Sequence, residues 1–121
     1  MENASELAVQ RAIDAMHKHM GEQITVHDLA RTAKFSRFHF TRVFRQVTGV
    51  PPGRFLSELR LERAKQLLTS TSLNVIDISV QVGYSSVGTF SARFNRTVGM
   101  SPTSYRRHAG APPEIGATGD P

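Results

Sequence analysis

Between residues 25 and 105 the apolar positions fall into helical groups punctuated by Ser, Asn, Gly and Pro. Val26, Leu29, Ala30 and Ala33 follow the i, i+3, i+4, i+7 spacing of one buried helix face, and Val75, Ile78, Ser79 and Val82 repeat it. Small residues at 30 and 79 admit a second helix backbone at close range. Thr25 stands three residues before Asp28, and Asn74 three before Asp77, which marks both helix starts as side-chain capped. A second pair of stripes follows: Phe40, Val43, Phe44 and Val47, then Phe90, Phe94 and Val98. Ser36 and Ser86 can cap these helices, Gly49 and Gly99 end them, and Pro52 and Pro102 open the next ones.

The chain therefore contains one unit twice. A shift of 49 carries Asp28, Leu29 and Phe35 onto Asp77, Ile78 and Tyr84. A shift of 50 carries Ser36, Phe40, Phe44, Gly49 and Pro52 onto Ser86, Phe90, Phe94, Gly99 and Pro102. The extra residue falls at a loop, where it is tolerated. Within each unit only a short turn separates the two helices, the connection of a helix-turn-helix. Residues 5–20 predict a helix with Val9, Ile13, Met16 and Met20 on one face, stopping at Gly21. Residues 52–69 predict a stiff connecting helix with Phe55, Leu56, Leu59, Ala64, Leu67 and Leu68 inward. At ~1.5 Å per residue its length is roughly 27 Å, enough to hold two reading units about one DNA turn, ~34 Å, apart. Ser101 to Arg107 reads as a short capped helix.

The expected architecture is all-α, with about seven helices in homeodomain-like units. A first helix-turn-helix subdomain occupies 1–50, the connecting helix 51–70, a second subdomain 71–108 and a disordered Gly/Pro tail 109–121.

Charge changes this picture from a fold into a candidate binder. The 121 residues carry 15 Lys+Arg against 10 Asp+Glu, a net charge of +5. Twelve of the cations are Arg, the side chain suited to forked contacts with phosphates and guanine edges. Residues 1–30 are acidic, residues 31–65 hold nine cations against Glu58 and Glu62, and residues 86–108 hold Arg93, Arg96, Arg106 and Arg107 with no acid. Two basic blocks point to a polyanion touched twice.

Burying Phe40, Val43, Phe44 and Val47 turns Phe38, Thr41, Arg42 and Arg45 outward, with Arg37 beside them. Arg42 can fork onto O6 and N7 of a guanine, Phe38 can pack on thymine methyls, and Thr41 can meet a base. Arg37 and Arg45 suit phosphates. The competing reading makes Phe38 a rim residue of the core and the arginines mere solubilisers. The equivalent face of the second unit is Gly88, Ser91, Ala92 and Asn95, with Val87 near the helix start. Val87 or Ala92 can touch a thymine methyl, while Ser85, Ser86, Thr89 and Arg96 can hold phosphates. The alternative is a unit that docks on the backbone and reads little sequence.

Enzyme chemistry finds no support. Neither a Gly-x-x-x-x-Gly-Lys-[Ser/Thr] nor a Gly-x-Ser-x-Gly run occurs. The chain has no Cys, and none of its five His forms an i, i+4 pair, so neither a metal site nor a cofactor is expected. No apolar run approaches the ~20 residues of a membrane helix, and a Cys-free chain fits a reducing, cytoplasmic setting.

These motifs resemble the DNA-binding domain of the AraC/XylS family of bacterial transcription regulators. The resemblance is carried by Phe35-Ser-Arg-Phe-His-Phe-Thr-Arg-Val-Phe-Arg45, Gly49 to Pro52 and Glu58-Leu-Arg-Leu-Glu-Arg-Ala-Lys-Gln-Leu-Leu68. It continues through Asp77-Ile78, Val82-Gly-Tyr-Ser-Ser86, Phe90-Ser91, Phe94, Gly99, Ser101-Pro102 and Tyr105-Arg106, and spans roughly residues 7–108. It implies two recognition helices, 36–48 and 86–98, inserted into successive major grooves of double-stranded DNA. By similarity, Phe38, Thr41 and Arg42 take the base-reading positions of the first, and Val87, Gly88, Ser91 and Ala92 those of the second. The family commonly has Arg where this chain has Ala92, which weakens direct readout by the second unit. The resemblance further implies the stand-alone type: a monomer on an asymmetric site, nucleoid-associated, recruiting RNA polymerase as an activator. The alternative function is a protein-binding adaptor or anti-regulator acting on RNA polymerase, with weak nonspecific DNA binding.

Overall fold

A computed structural model describes residues 3–109. Among them are seven helices and no strand, arranged in two compact units that divide between Leu59 and Arg60. The all-α expectation is met. The tail from residue 110 onward lies outside the described residues.

The first unit contains α1 (Ala4–Lys18), α2 (Val26–Thr32), α3 (Arg37–Thr48) and the start of α4 (Pro52–Ser70). Its core joins Val9, Ala12 and Met16 of α1, Leu29 and Ala30 of α2, Phe40, Val43 and Phe44 of α3, and Leu56 of α4. Thr25 and Asp28 form a reciprocal capping box at the start of α2: Thr25 Oγ1 accepts from the Asp28 amide, and the Asp28 carboxylate accepts from the Thr25 amide. The Thr25 amide, then its hydroxyl, holds the Asp28 carboxyl below its ordinary range. That stabilisation is present above the unfolded carboxylate pKa, ~4, and is lost as pH falls through the folded value.

The second unit contains the remainder of α4, α5 (Val75–Gln81), α6 (Val87–Val98) and α7 (Pro102–His108). Its core is Leu61, Ala64, Leu67 and Leu68 of α4 with Ile78, Val82, Phe90 and Phe94. Asn74, Ser86 and Ser101 cap its three later helices.

Two aromatic ladders show the duplication in three dimensions. Phe40, Phe44 and Phe55 meet in tilted and edge-on contacts at centroid spacings of 5.7 and 5.3 Å, and Phe90, Phe94 and Tyr105 do the same, both at 5.7 Å. The turns match as well. The Phe35 amide reaches back to Ala30 O at 2.9 Å and the Tyr84 amide to Ser79 O at 3.0 Å. The residue before each has positive φ, 97° at Gly83 but 60° at Lys34. Gly49 and Gly99 end α3 and α6 in the left-handed region, as their spacing predicts.

Three expectations are corrected. The first helix ends at Lys18, not Met20, because His19 leaves helical geometry and binds Glu22; Gly21 lies beyond the cap. Its buried stripe runs Val9, Ala12, Met16, with Ile13 only packed at the edge and Met20 half-buried. Val47 is 42% exposed, since the buried face of α3 stops at Phe44 and the last turn runs past it. Finally, Arg106 is not part of a basic surface. It is 3% exposed and donates from Nε to Leu68 O at 3.0 Å and from Nη2 to Thr71 O at 3.2 Å and Leu73 O at 2.6 Å. These carbonyls lie at the end of α4 and just after it, where a helix lacks internal donors.

Replacing Arg106 by Ala leaves three acceptors short of a donor, and urea unfolding is expected to show a loss of about 3 kcal/mol. Lys34→Gly should act in the opposite direction. Relief of ~1–2 kcal/mol of left-handed strain outweighs the ~0.5–1 kcal/mol entropic cost of Gly, so the same measurement should show a gain.

Candidate nucleic-acid interface

Ser36 sets the start of α3 by accepting the His39 amide at 3.1 Å. From that start the helical period fixes which residues point away from Phe40 and Phe44. Arg37, Phe38, Thr41, Arg42 and Arg45 line one open depression of about 640 Å3, together with Gln46. All six lie on α3. Phe38 is 89% exposed, which disposes of its reading as a rim residue of the core. Arg37, Arg42 and Arg45 are exposed and Thr41 is half-buried. Gln46 escaped the sequence reading, although its i+4 spacing from Arg42 puts it on the same face; a Gln amide can pair with adenine. His39 is turned elsewhere, its ring 4.5 Å from that of Phe35.

A large ring held in water amid three guanidinium groups has a limited set of uses. It cannot hydrogen-bond, so its gain comes from covering apolar surface. The flanking cations need anions. Major-groove DNA supplies both, as thymine methyls beside phosphates and guanine acceptors.

On α6 the counterpart face is smooth. Gly88 and Ala92 are exposed, Val87 and Ser91 half-buried. A Cβ placed on Gly88 would meet nothing within 4 Å, so packing inside the protein does not demand glycine there. Ser86 Oγ accepts the Thr89 amide at 3.1 Å and donates to Thr89 Oγ1 at 2.9 Å. Ser85 and Arg96 are exposed, at opposite ends of the helix.

One feature of α5 also escaped the sequence reading. Ile76 and Val80 are 60% and 61% exposed, where the first unit carries exposed His27 and Arg31. No group of three or more His, Cys, Asp and Glu among the described residues could hold a metal ion, and no described helix is long and apolar enough to cross a membrane.

Comparison with known proteins bears directly on this geometry. Residues 29–108 match the family described as a helix-turn-helix domain. The lactose operon transcription activator of Staphylococcus xylosus is 35% identical over 100 residues, 83% of this chain and 36% of that protein. The transcriptional activator AarP of Providencia stuartii is 33% identical over 84 residues, 69% of this chain and 62% of its own. The chain spans about a third of the length of several curated relatives it matches. Among solved structures, a Chromobacterium violaceum regulator described as having an AraC-type DNA-binding domain aligns with a TM-score of 0.79 at 30% identity, over 89% of this chain and 96% of that one. The DNA-binding domain of AdpA, solved in complex with a target DNA, aligns with a TM-score of 0.80 at 31% identity, over 83% and 90% respectively.

Because the outward face of α3 is not part of the core, Phe38→Ala and Arg42→Ala should each shift the unfolding free energy by no more than about 0.5 kcal/mol. Phe40→Ala, two residues from Phe38, should cost about 3–5 kcal/mol. Urea denaturation of the three variants checks the contrast.

Proposed function

The chain belongs to the AraC-type helix-turn-helix family of DNA-binding transcription regulators, and on that premise we propose that it binds double-stranded DNA sequence-specifically through α3 and α6, inserted into successive major grooves. Phe38, Thr41 and Arg42 contact bases from α3, with Arg37 and Arg45 on phosphates. Val87, Gly88, Ser91 and Ala92 face bases from α6, with Ser85, Ser86, Thr89 and Arg96 at the backbone. Most of the specificity comes from the first unit, because its counterpart presents no long side chain to a base edge. The protein acts as an activator, a monomer on an asymmetric site in the bacterial cytoplasm and nucleoid, in contact with RNA polymerase. The activator names of two relatives support that sign of regulation. The observation that carries the proposal is the exposed Phe38 amid three outward arginines on one helix face.

A second reading, a protein-binding adaptor acting on RNA polymerase with weak nonspecific DNA binding, draws on the exposed Ile76 and Val80. Salt separates the two. Neutralising 6–10 phosphates costs about 10³–10⁵ in affinity between ~50 and ~200 mM salt, whereas a protein contact through an apolar pair stays nearly level.

Selection of bound duplexes from a random pool should return one asymmetric motif with its strongest positions in one half. Arg42→Ala should cost about 1–3 kcal/mol and relax preference at one position, while Arg96→Ala should weaken all duplexes alike and flatten the salt slope. An Arg42→Ala protein that loses specific and nonspecific duplexes equally would refute base reading by this residue.

A further inference from the structure

The side chains that line the depression on α3 fall into two rows at i, i+4 spacing: Arg37, Thr41 and Arg45, and beside them Phe38, Arg42 and Gln46. Such rows form parallel ridges along a helix. The two differ in chemistry. The first offers two guanidinium groups for phosphates and a hydroxyl that serves a phosphate or a base alike. The second offers a ring, a guanidinium and an amide, three different matches to three different base edges. Phe38 and Arg42 have partners in the proposed complex; Gln46, the last of its row, has none.

On α4, long polar side chains one turn apart hold each other. Arg54 Nε donates to Glu58 at 3.0 Å, and Arg63 Nη1 donates to the Gln66 amide oxygen at 3.1 Å. Arg42 and Gln46 repeat the chemistry of that second pair one turn apart. Yet neither side chain bonds to the other or to any other of the described residues, and both are exposed. Both keep their hydrogen-bonding capacity for something outside the protein. The second unit serves as a control. A shift of 50 carries Phe38, Arg42 and Gln46 onto Gly88, Ala92 and Arg96. There the row is bare until its last member, and that member is a cation, the group that suits a phosphate. In the first unit the same position has no charge. A neutral amide forgoes the charge-assisted bond that a phosphate rewards. It carries a donor and an acceptor side by side, the pattern that matches N7 and N6 of adenine. Guanine, whose N7 and O6 both accept, answers only the donor side of an amide and suits Arg42 better.

We propose that Gln46 is a specificity-determining residue that reads adenine, its Nε2 donating to N7 and its Oε1 accepting from N6. Four residues advance ~6 Å along a helix, close to two base-pair steps of ~3.4 Å. This adenine therefore lies within two base pairs of the guanine read by Arg42. The inference rests on insertion of α3 into the major groove. It extends the contacts of that helix with base edges to one per turn over three turns, through Phe38, Arg42 and Gln46.

The test is selection of bound duplexes from a random pool by the full chain and its Gln46 variants, followed by titration of the selected duplex. Gln46 is exposed, and Ala and Arg are good helix formers, so both variants should keep the parent's urea midpoint. The parent should return an adenine within two base pairs of the guanine whose preference Arg42→Ala relaxes. Gln46→Ala should relax that adenine alone, by about fivefold to 150-fold, the range of one bidentate pair. Gln46→Arg should exchange it for guanine. Replacing the adenine by 7-deazaadenine removes the N7 acceptor and should weaken the parent about fivefold, while leaving Gln46→Ala unaffected. The parent's arm of that comparison needs no variant to fold. Equal weakening of all duplexes by Gln46→Ala would put the amide on a phosphate and overturn the assignment. Relaxation at the guanine in place of the adenine would make Gln46 a support for Arg42, and equal loss on 7-deazaadenine by parent and Gln46→Ala would give N7 to another residue; either result overturns it too. A motif that keeps its Arg42-dependent guanine but lacks the adenine would sink this inference alone, whereas a pool that returns no motif would remove the groove reading and the inference together.

Discussion

The structure depends on one constraint: α3 and α6 each bury two phenylalanines four residues apart. Phe40 with Phe44, and Phe90 with Phe94, place large apolar surfaces on a single side of a helix of only 12 residues. Losing either ring costs several kcal/mol, a large part of a small unit's stability. No rotation of the helix about its axis is therefore affordable. Since successive residues are set ~100° apart, fixing the buried side also fixes which residues face water. Phe38 is 89% exposed for that reason, two residues from a ring that is fully buried.

The same skeleton serves two different surfaces. Caps, aromatic ladders, turn hydrogen bonds and C-terminal glycines recur in both units, and these are the features that decide folding. The outward positions do not recur. Phe38, Thr41, Arg42 and Arg45 are matched by Gly88, Ser91, Ala92 and Asn95. Packing determines the first set of positions and leaves the second open, which is how one duplicated fold comes to have one side-chain-rich face and one bare one. The exposed Ile76 and Val80, against His27 and Arg31, show the same freedom on α5.

Arg106 illustrates why charge alone misleads. In the sequence it is one of four cations in an acid-free block, indistinguishable from Arg96 or Arg107. In the fold it closes the end of α4 from 33 to 38 residues away, because the carbonyls of Leu68, Thr71 and Leu73 converge where its guanidinium fork can reach them. A guanidinium has five donors and is indifferent to whether its acceptors belong to a phosphate or to a frayed helix end.

Local and periodic features were legible from residue order alone: the duplication, the caps at Thr25, Ser36, Asn74, Ser86 and Ser101, the terminators Gly49 and Gly99, and the outward stripe of α3. Apart from the duplication, which shows as matching patterns 49 and 50 positions apart, they involve residues within about one or two helical turns of each other, where spacing alone sets geometry. The fold decided what depends on distant partners. Val47 is exposed because the core ends at Phe44, α1 packs through Ala12 instead of Met20, and Arg106 is held by carbonyls at and just beyond the end of α4. Lys34 and Arg11, 23 positions apart, line one recess only because α1 and α2 pack against each other. A sequence states which residues can share a helix face, but which faces meet is settled by packing between elements that the period of a single helix does not encode.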